Sequence, residues 1–474
     1  MEQVLPSSIN YLDTLPRAIP SEHKRRRFYA TNGATFLPGS TIRIPLDSTR
    51  EYLDPSNCYL NFTYENTTGQ TCTFDLAGGH SFFENFRIQQ KGNEICRVQY
   101  YNRLMNAIVV PCTATQEEQG DISLVGQTLY AGTAGAGTLN VPTPAGTATG
   151  ADLTTGRHGS DADIAPGAEV KFNMPLVGGL FTQSGTAKLL PLPLLNAPIE
   201  LYFDVAGVWS PIVSSGAAGD WILRDVYVVA DLVEVPADVN NFMRELQMAH
   251  GGSLAIQGQG YDYNNGTIDA AATGSISLNV PSRKRSIKAL YFAGSSRTYA
   301  GVGVGSADWA TFYLSWSGNM CLRNYFVRAG SVVMPQPAVI AAGDNAVAGN
   351  NEYDRGEMLM ELKKSMGHLG SHIGTGFLAA SNYATNDSDN ADGAGAQQSP
   401  VSRSGFLVSP YGLDMEAYQN EAIKAGLDTQ TLSLEMQLVL EIEGGQAEPV
   451  QVDIFTLYDV QYYFNADGSI SFED

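Results

Sequence analysis

Apolar residues recur at every second position in window after window of this chain, and that period fixes the class of fold. In Cys58–Asn66, Cys58, Leu60, Phe62 and Tyr64 oppose Tyr59, Asn61, Thr63 and Glu65. Val170, Phe172 and Met174 alternate with Glu169, Lys171 and Asn173, and Ile199, Leu201, Phe203 and Val205 with Glu200, Tyr202 and Asp204. Ile276, Leu278 and Val280 repeat the pattern, and the longest run is Leu432, Leu434, Met436, Leu438, Leu440 and Ile442. A period of two puts alternate side chains on opposite faces of a strand. Strands with one apolar and one polar face suit antiparallel sheets packed face to face, because parallel strands covered on both sides read as unbroken apolar runs. The sequence predicts an all-β protein.

Helical spacing is scarce. Val239, Phe242, Met243 and Leu246 follow the i, i+3, i+4, i+7 rule, with Pro236 suited to a first turn. Met358, Leu359, Leu362 and Met366 form a second stripe; Tyr100–Val110 and Leu413–Lys424 are further candidates, the last ended by Gly426. Two long stretches, Thr113–Gly167 and Ser381–Ser404, are rich in small and polar residues. Each lies inside a strand-rich half, so both read as excursions from a β scaffold.

The halves also resemble each other. Asn85-Phe86-Arg87-Ile88 recurs in kind as Asn324-Tyr325-Phe326-Val327, and each is soon followed by a glycine, Gly92 or Gly330. Asp225-Val226 and Asp459-Val460 sit in long strand patterns near the end of each half. The two spacings agree with each other and with half of the 474-residue length. A duplicated β domain joined near Pro236–His250 follows.

Composition narrows the function classes. Lys+Arg number 28 and Asp+Glu 49, a net charge of −21, and charged residues are 16% of the chain against about 25% in soluble proteins. Sparse charge with 43% apolar residues argues for folded, well-covered domains. The acidic balance disfavours nucleic-acid binding by the bulk surface. No uncharged apolar run reaches the ~20 residues of a membrane helix, and Met1–Pro20 carries no secretory-signal pattern. Cys58, Cys72, Cys96, Cys112 and Cys321 are an odd number without C-x-x-C spacing, so they read as buried thiols.

No catalytic motif is present: no G-x-S-x-G, H-E-x-x-H or P-loop. Gly301-Val302-Gly303-Val304-Gly305 lacks a dinucleotide fingerprint and reads as a loop. His368 and His372 are four apart but interrupted by glycines, without acidic or Cys neighbours. Asp467-Gly468 reads as a hairpin turn, and Asp161 and Asp163 as solvated. The sequons at Asn61, Asn66, Asn265 and Asn386 are chance matches on this reading. No cofactor or metal is expected, and no enzymatic activity.

Two basic clusters stand out against the acidic background. Lys24, Arg25, Arg26 and Arg27 are candidate contacts to phosphates of a genome or of lipid head groups; pairing with acids of a neighbouring subunit is the other reading. Arg283, Lys284, Arg285 and Lys288 follow the Ile276–Val280 strand, and for them intersubunit ion pairing is favoured.

Several segments, in order over about Phe36 to Asp474, carry a family resemblance. They are Ser81–Ile88 with Gly92–Ile95 and Tyr100–Leu104; Leu190–Ile199, punctuated by prolines; Tyr325–Ser331 with Met334-Pro335; and Gly426–Thr429, Tyr458-Asp459 and Asp467–Ile470. The chain resembles the double jelly-roll major capsid proteins of the adenovirus hexon, virophage, polinton-like and large DNA virus lineage. Its Gly/Ala/Thr-rich Thr113–Gly167 departs from them. The resemblance implies two tandem eight-stranded jelly rolls with few short helices and long loops. It divides the chain into an arm (1–35), a first jelly roll (36–236), a connecting helix (237–252) and a second jelly roll (253–474). It further implies a homotrimer forming a pseudo-hexagonal capsomer of an icosahedral virion shell. Neighbouring capsomers, penton and minor capsid proteins would be its partners, with viral DNA or an internal membrane at the inward arm, Lys24–Arg27. The other classes weighed are a virion spike or tandem jelly-roll carbohydrate binder, for which the four Trp are scattered, and a cupin-type enzyme, for which the six His are dispersed.

Overall fold

The computed structural model describes residues 21–69, 72–74, 77–113, 166–183, 188–207, 212–214, 220–249, 251–296, 314, 320, 322–341, 355–367, 410–416, 426–431, 434–442 and 449–474. The alternating segments form two β-sandwiches, each of two antiparallel sheets. In the first, β1 (Glu22–Tyr29), β12 (Ile222–Glu234), β4 (Glu51–Glu65) and β8 (Glu169–Pro175) lie side by side, with β2 (Thr35–Phe36) also on β12. Facing them are β3 (Thr41–Leu46), β10 (Ile199–Val205), β6 (Phe83–Gln90) and β7 (Asn93–Val98). The second sandwich sets β13 (Ser253–Ile268), β20 (Val450–Asn465), β15 (Ile287–Ser296) and β18 (Tyr411–Asp414) against β14 (Gly274–Val280), β19 (Met436–Ile442), β16 (Leu322–Ala329) and β17 (Val332–Ile340). β5 (Cys72–Phe74) and β11 (Ile212–Ser214) form a separate two-stranded antiparallel sheet, and β21 (Ile470–Glu473) pairs with β20.

The strand orders are identical. Reading β1-β12-β4-β8 over β3-β10-β6-β7 and replacing each strand by its counterpart gives β13-β20-β15-β18 over β14-β19-β16-β17. Two four-stranded antiparallel sheets in this order make a jelly roll, and the chain contains two. The repeated sequence patterns fall on counterpart strands: Asn85–Ile88 in β6 and Asn324–Val327 in β16, Asp225-Val226 in β12 and Asp459-Val460 in β20. Even a side-chain contact repeats. The amide of Asn85 donates to Asp204 on β10 at 3.4 Å, and that of Asn324 to Glu441 on β19 at 2.6 Å.

Each core is sealed by the inward face of its strands. Phe62 of β4 meets Phe83 of β6 edge-on at 5.3 Å, and Phe292 of β15 meets Tyr325 of β16 at 5.2 Å. Aromatic pairs at such distances add to the gain from burial itself. The β6–β7 connection is a two-residue turn in which Lys91 and Gly92 both take positive φ (51° and 81°), the conformation that matches hairpin twist.

The helices largely follow their stripes. Ala237–Ala249 links the sandwiches, turning Met243 and Leu246 toward the body while Phe242 stays exposed. Arg355–Ser365 buries Met358, Leu359 and Leu362. After β7 comes a helix with turns Tyr101–Leu104, Met105–Val109 and Val110–Thr113, the middle one widened. The helix expected over Leu413–Lys424 begins instead as a strand. Tyr411, Leu413 and Met415 are buried at period two, and β18 pairs Leu413 with Leu290; 417–425 lie outside the described residues. Residues 22–29 of the expected arm are a full-length strand on β12. Its alternation is masked because only Phe28 is buried, as suits a charged edge strand.

One strand crosses over. β9 (Gly179–Gln183), from the first half, joins the edge of β13 in the second sandwich. A Cβ at Gly258 of β13 would lie 2.5 Å from the carbonyl oxygen of Gly179, so the approach requires glycine.

Candidate functional site

The pleat of β1 splits the first basic cluster in two. Lys24 and Arg26 project to the side of Phe28. Lys24 donates to Glu234 and lies 3.3 Å from Glu22; the Glu234 bond raises its pKa and lowers that of Glu234. Arg26 donates to the Asp47 carbonyl at 3.2 Å, sits 3.9 Å from Glu51, and covers the Phe28 ring at 4.9 Å. Arg25 and Arg27 project to the outer face of the sheet, where their partners are aromatic. Arg25 donates to the Tyr59 hydroxyl. The Arg27 guanidinium lies 5.1 Å from the Tyr227 ring, and Lys171 of β8 approaches the same ring at 5.9 Å. Tyr29 stands directly opposite Tyr227, with ring centroids 5.4 Å apart. Among the described residues neither Arg25 nor Arg27 meets a carboxylate within 4.0 Å. The sequence run thus supplies two engaged cations and two that stack on tyrosines.

The second cluster meets acids of its own chain. Lys284 pairs with Asp474 and lies 4.2 Å from the Tyr458 ring; Arg285 pairs with Glu473. Lys288 contacts Glu416 at 2.8 Å and Asp459 at 4.0 Å, and Ser286 donates to Asp459 at 2.9 Å. Burial raises the Glu416 pKa, with Lys288 opposing the shift. Arg283 is exposed. The cluster therefore fastens the region after β14 to the C-terminal strand.

The seam between the sandwiches holds groups that sequence patterns do not flag. Arg103, on the helix after β7, is buried. Its Nε donates to Asp453 of β20 at 2.9 Å, and its Nη2 to the Gly294 carbonyl at 3.1 Å. Tyr263 and Gln451 both donate to the other oxygen of Asp453 at 2.9 Å. Burial first, then Asp453, drives the Tyr263 phenol above its ordinary range. The rings of Tyr100 and Tyr263 sit 4.4 Å apart across the same seam. At one end of the molecule, the Gln90 amide donates to the Gly468 carbonyl at 2.9 Å and accepts from the Ile470 N–H at 2.8 Å. Tyr100–Leu104 was legible as a segment, but no spacing rule reaches a partner 350 residues away.

Among the described residues, no group of three His, Cys, Asp or Glu could hold a metal ion. His368, His372, Gly301–Gly305, Asp161, Asp163, Asn386 and Cys321 lie outside the described residues. Cys58, Cys96 and Cys112 are buried free thiols, and burial pushes Cys96 up to about 12. Asp467-Gly468 is a hairpin turn in which Asp467 accepts from the Ser469 N–H at 2.9 Å and hydroxyl at 2.6 Å. Asn61 and Asn66 are buried, out of reach of glycosylation in the folded chain. No described helix is long and apolar enough to cross a membrane. His80 is buried, with Nδ1 2.8 Å from the Tyr101 hydroxyl, and burial pushes its pKa down to about 3.

No protein-family model matches the sequence, and no curated protein does. Solved structures do match along nearly the whole chain. The Faustovirus major capsid protein superposes with a TM-score of 0.58 at 8% identity, covering 95% of this chain and 91% of that one. The capsid of the virus PBCV-1 gives 0.54 at 10% identity, with 97% and 98% covered. The mavirus major capsid protein gives 0.50 at 11% identity, with 99% and 93% covered. The shared architecture is the double jelly roll.

Proposed function

We propose that the chain is a viral major capsid protein, the structural subunit of a trimeric, pseudo-hexagonal capsomer in an icosahedral shell. One observation carries the reading: the double jelly roll extends along almost the full chain and along almost the full length of the capsid proteins it resembles. A partial likeness would fit a borrowed domain, whereas this one runs through both jelly rolls. The internal repeat adds a physical reason. Two jelly rolls of one strand order, packed front to side within a chain, form a heterologous contact, and such contacts repeated between copies close into rings. Three copies place six jelly rolls around one axis.

Sparse charge fits the same reading, since a shell subunit hides much of its surface against neighbours. Neighbouring capsomers are its direct partners, with penton and minor capsid proteins at special positions, and its place is the virion. The role is structural, not enzymatic. The test is to purify the protein, measure its mass in solution and image it. A trimer with a hexagonal outline, or closed shells, is expected; a stable monomer that binds glycans would overturn the proposal.

A further inference from the structure

The outer face of β3-β10-β6-β7 carries a ladder of cations that the fold itself does not require. Ile44, Phe203, Phe86 and Val98 point into the core, so their neighbours Arg43, Tyr202, Arg87 and Arg97 point outward. Register sets Arg43 opposite Tyr202, Tyr202 opposite Arg87, and Arg87 opposite Arg97. The guanidinium groups of Arg43 and Arg87 flank the Tyr202 ring, at 6.0 and 5.4 Å. Glu200 holds Arg43, and Asp204 accepts from Nη2 of Arg87 at 2.8 Å. There the acids run out. Asp204 also accepts from Thr41 and Asn85, and Glu200 from the Tyr202 hydroxyl. Nε of Arg87 is buried without an acceptor. Arg97 is exposed and has no carboxylate partner among the described residues. Like charges directly opposite on neighbouring strands repel.

The second sandwich shows the same scaffold without the ladder. It keeps the contact of an amide with an acid, Asn85–Asp204 recurring as Asn324–Glu441. Two residues along the same strands, Arg43, Tyr202 and Arg87 are replaced by Ser277, Val439 and Phe326. Neutral side chains serve the sheet there, so the arginines of the first sandwich are not a demand of the architecture.

We propose that Arg87 and Arg97 form a binding site for a phosphate group, free or as a monoester, with Tyr202 positioning Arg87. Two guanidinium forks on adjacent strands reach one small anion from two sides, and each fork matches the geometry of an oxyanion. A carboxylate has two oxygens and is satisfied by one fork, whereas a phosphate has oxygens for both. The Tyr202 ring holds the Arg87 guanidinium in place, which lowers the ordering cost that a ligand would otherwise meet. A bound anion also cancels the repulsion between the two arginines. In a chain of net charge −21, such a surplus of cationic donors is a local exception. The inference does not depend on the capsid reading.

The test titrates the full-length chain by calorimetry with inorganic phosphate and, separately, with glycerol phosphate, in chloride buffer of constant ionic strength. Wild type is compared with Arg97→Gln and Arg283→Gln. Arg283 is exposed and follows β14 of the second sandwich, so its variant makes the same change of charge away from the site. Wild type and Arg283→Gln are expected to bind phosphate saturably, and Arg97→Gln about tenfold more weakly or not at all. Arg97→Gln should melt in chloride as wild type does. Should it melt early, Arg97→Lys takes its place, keeping the charge and losing the fork, with the same weakening expected. Binding of inorganic phosphate alone assigns a free anion, and binding of glycerol phosphate as well admits an esterified one. No saturable binding to wild type, equal weakening in the Arg97 and Arg283 variants, or acetate bound as tightly as phosphate overturns the inference.

Discussion

Arg103 and Asp453, 350 residues apart, form a buried ion pair that joins one jelly roll to the other. The guanidinium has further acceptors at Gly294 and Leu314, and the carboxylate has further donors at Tyr263 and Gln451. Removing one charge strands the other without water, which costs about 3–5 kcal/mol. Arg103→Met is therefore expected to lower unfolding free energy by that order in urea titrations. Arg103→Met combined with Asp453→Leu should regain much of the loss, because an apolar pair of similar volume needs no solvation. Equal losses for the single and double variants would show that the ion pair is not what holds the seam.

Two side chains tie the C-terminal hairpin to the first sandwich: Gln90, and Asn196, whose amide donates to the Asp467 carbonyl at 2.7 Å. Gln90 both donates to Gly468 and accepts from Ile470, and it is buried. Gln90→Ala would take the acceptor from the Ile470 N–H, at about 1–3 kcal/mol, while the Gly468 carbonyl keeps the Asn196 N–H at 3.1 Å. The expected signature is faster amide exchange at Ile470 and its neighbours, together with a lower melting temperature. Exchange rates at Ile470 unchanged from wild type would refute the staple.

His80 sets a pH dependence whose direction follows from burial. Its imidazole titrates near 6.5 when unfolded and is pushed down to about 3 in the folded chain. Between those values the unfolded state binds the extra proton, so stability falls as pH falls, by about 1.4 kcal/mol per pH unit for this group. Above pH 6.5 the group is neutral in both states and contributes no slope. Denaturation of wild type and His80→Gln from pH 7 to pH 4 should give curves that converge as acid is added. Parallel curves would remove His80 as a source of acid sensitivity.

How far the sequence alone could reach is clear from particular residues. Phe172, Leu201 and Leu438 announce their strands because one face of each is sealed and the other is wet. The repeat was legible at Asn85 and Asn324, whose counterpart positions demand the same hydrogen bond to an acid on the neighbouring strand. Residues 22–29 gave no such signal: an edge strand with cations on both faces has no apolar period. Leu413 misled for the opposite reason, since buried Tyr411, Leu413 and Met415 are followed by residues that also satisfy a helical spacing. Arg103 and Gln90 could not be recognised at all. Their partners are set by how two sandwiches meet, and local pattern carries no information about a contact made across the whole chain. The cations of Lys24–Arg27 were visible as a cluster, but only the pleat of β1 separates the pair held by acids from the pair stacked on tyrosines.

The second basic cluster offers a contrast with the first. Arg285 and Lys284 are held by Glu473 and Asp474, on or just beyond β21. Arg285 and Glu473 are substantially solvent-exposed, and ion pairs of that kind contribute about 0–1 kcal/mol. Glu473→Gln alone is thus expected to shift stability by no more than that, and to weaken it less as salt is added to both proteins. Because the cluster's acids come from the same chain, Glu473→Gln combined with Asp474→Asn should leave the mass in solution as in wild type. Mass measurements on that double variant and wild type side by side check this: loss of the wild-type oligomer would place the Lys284 region at a subunit contact after all.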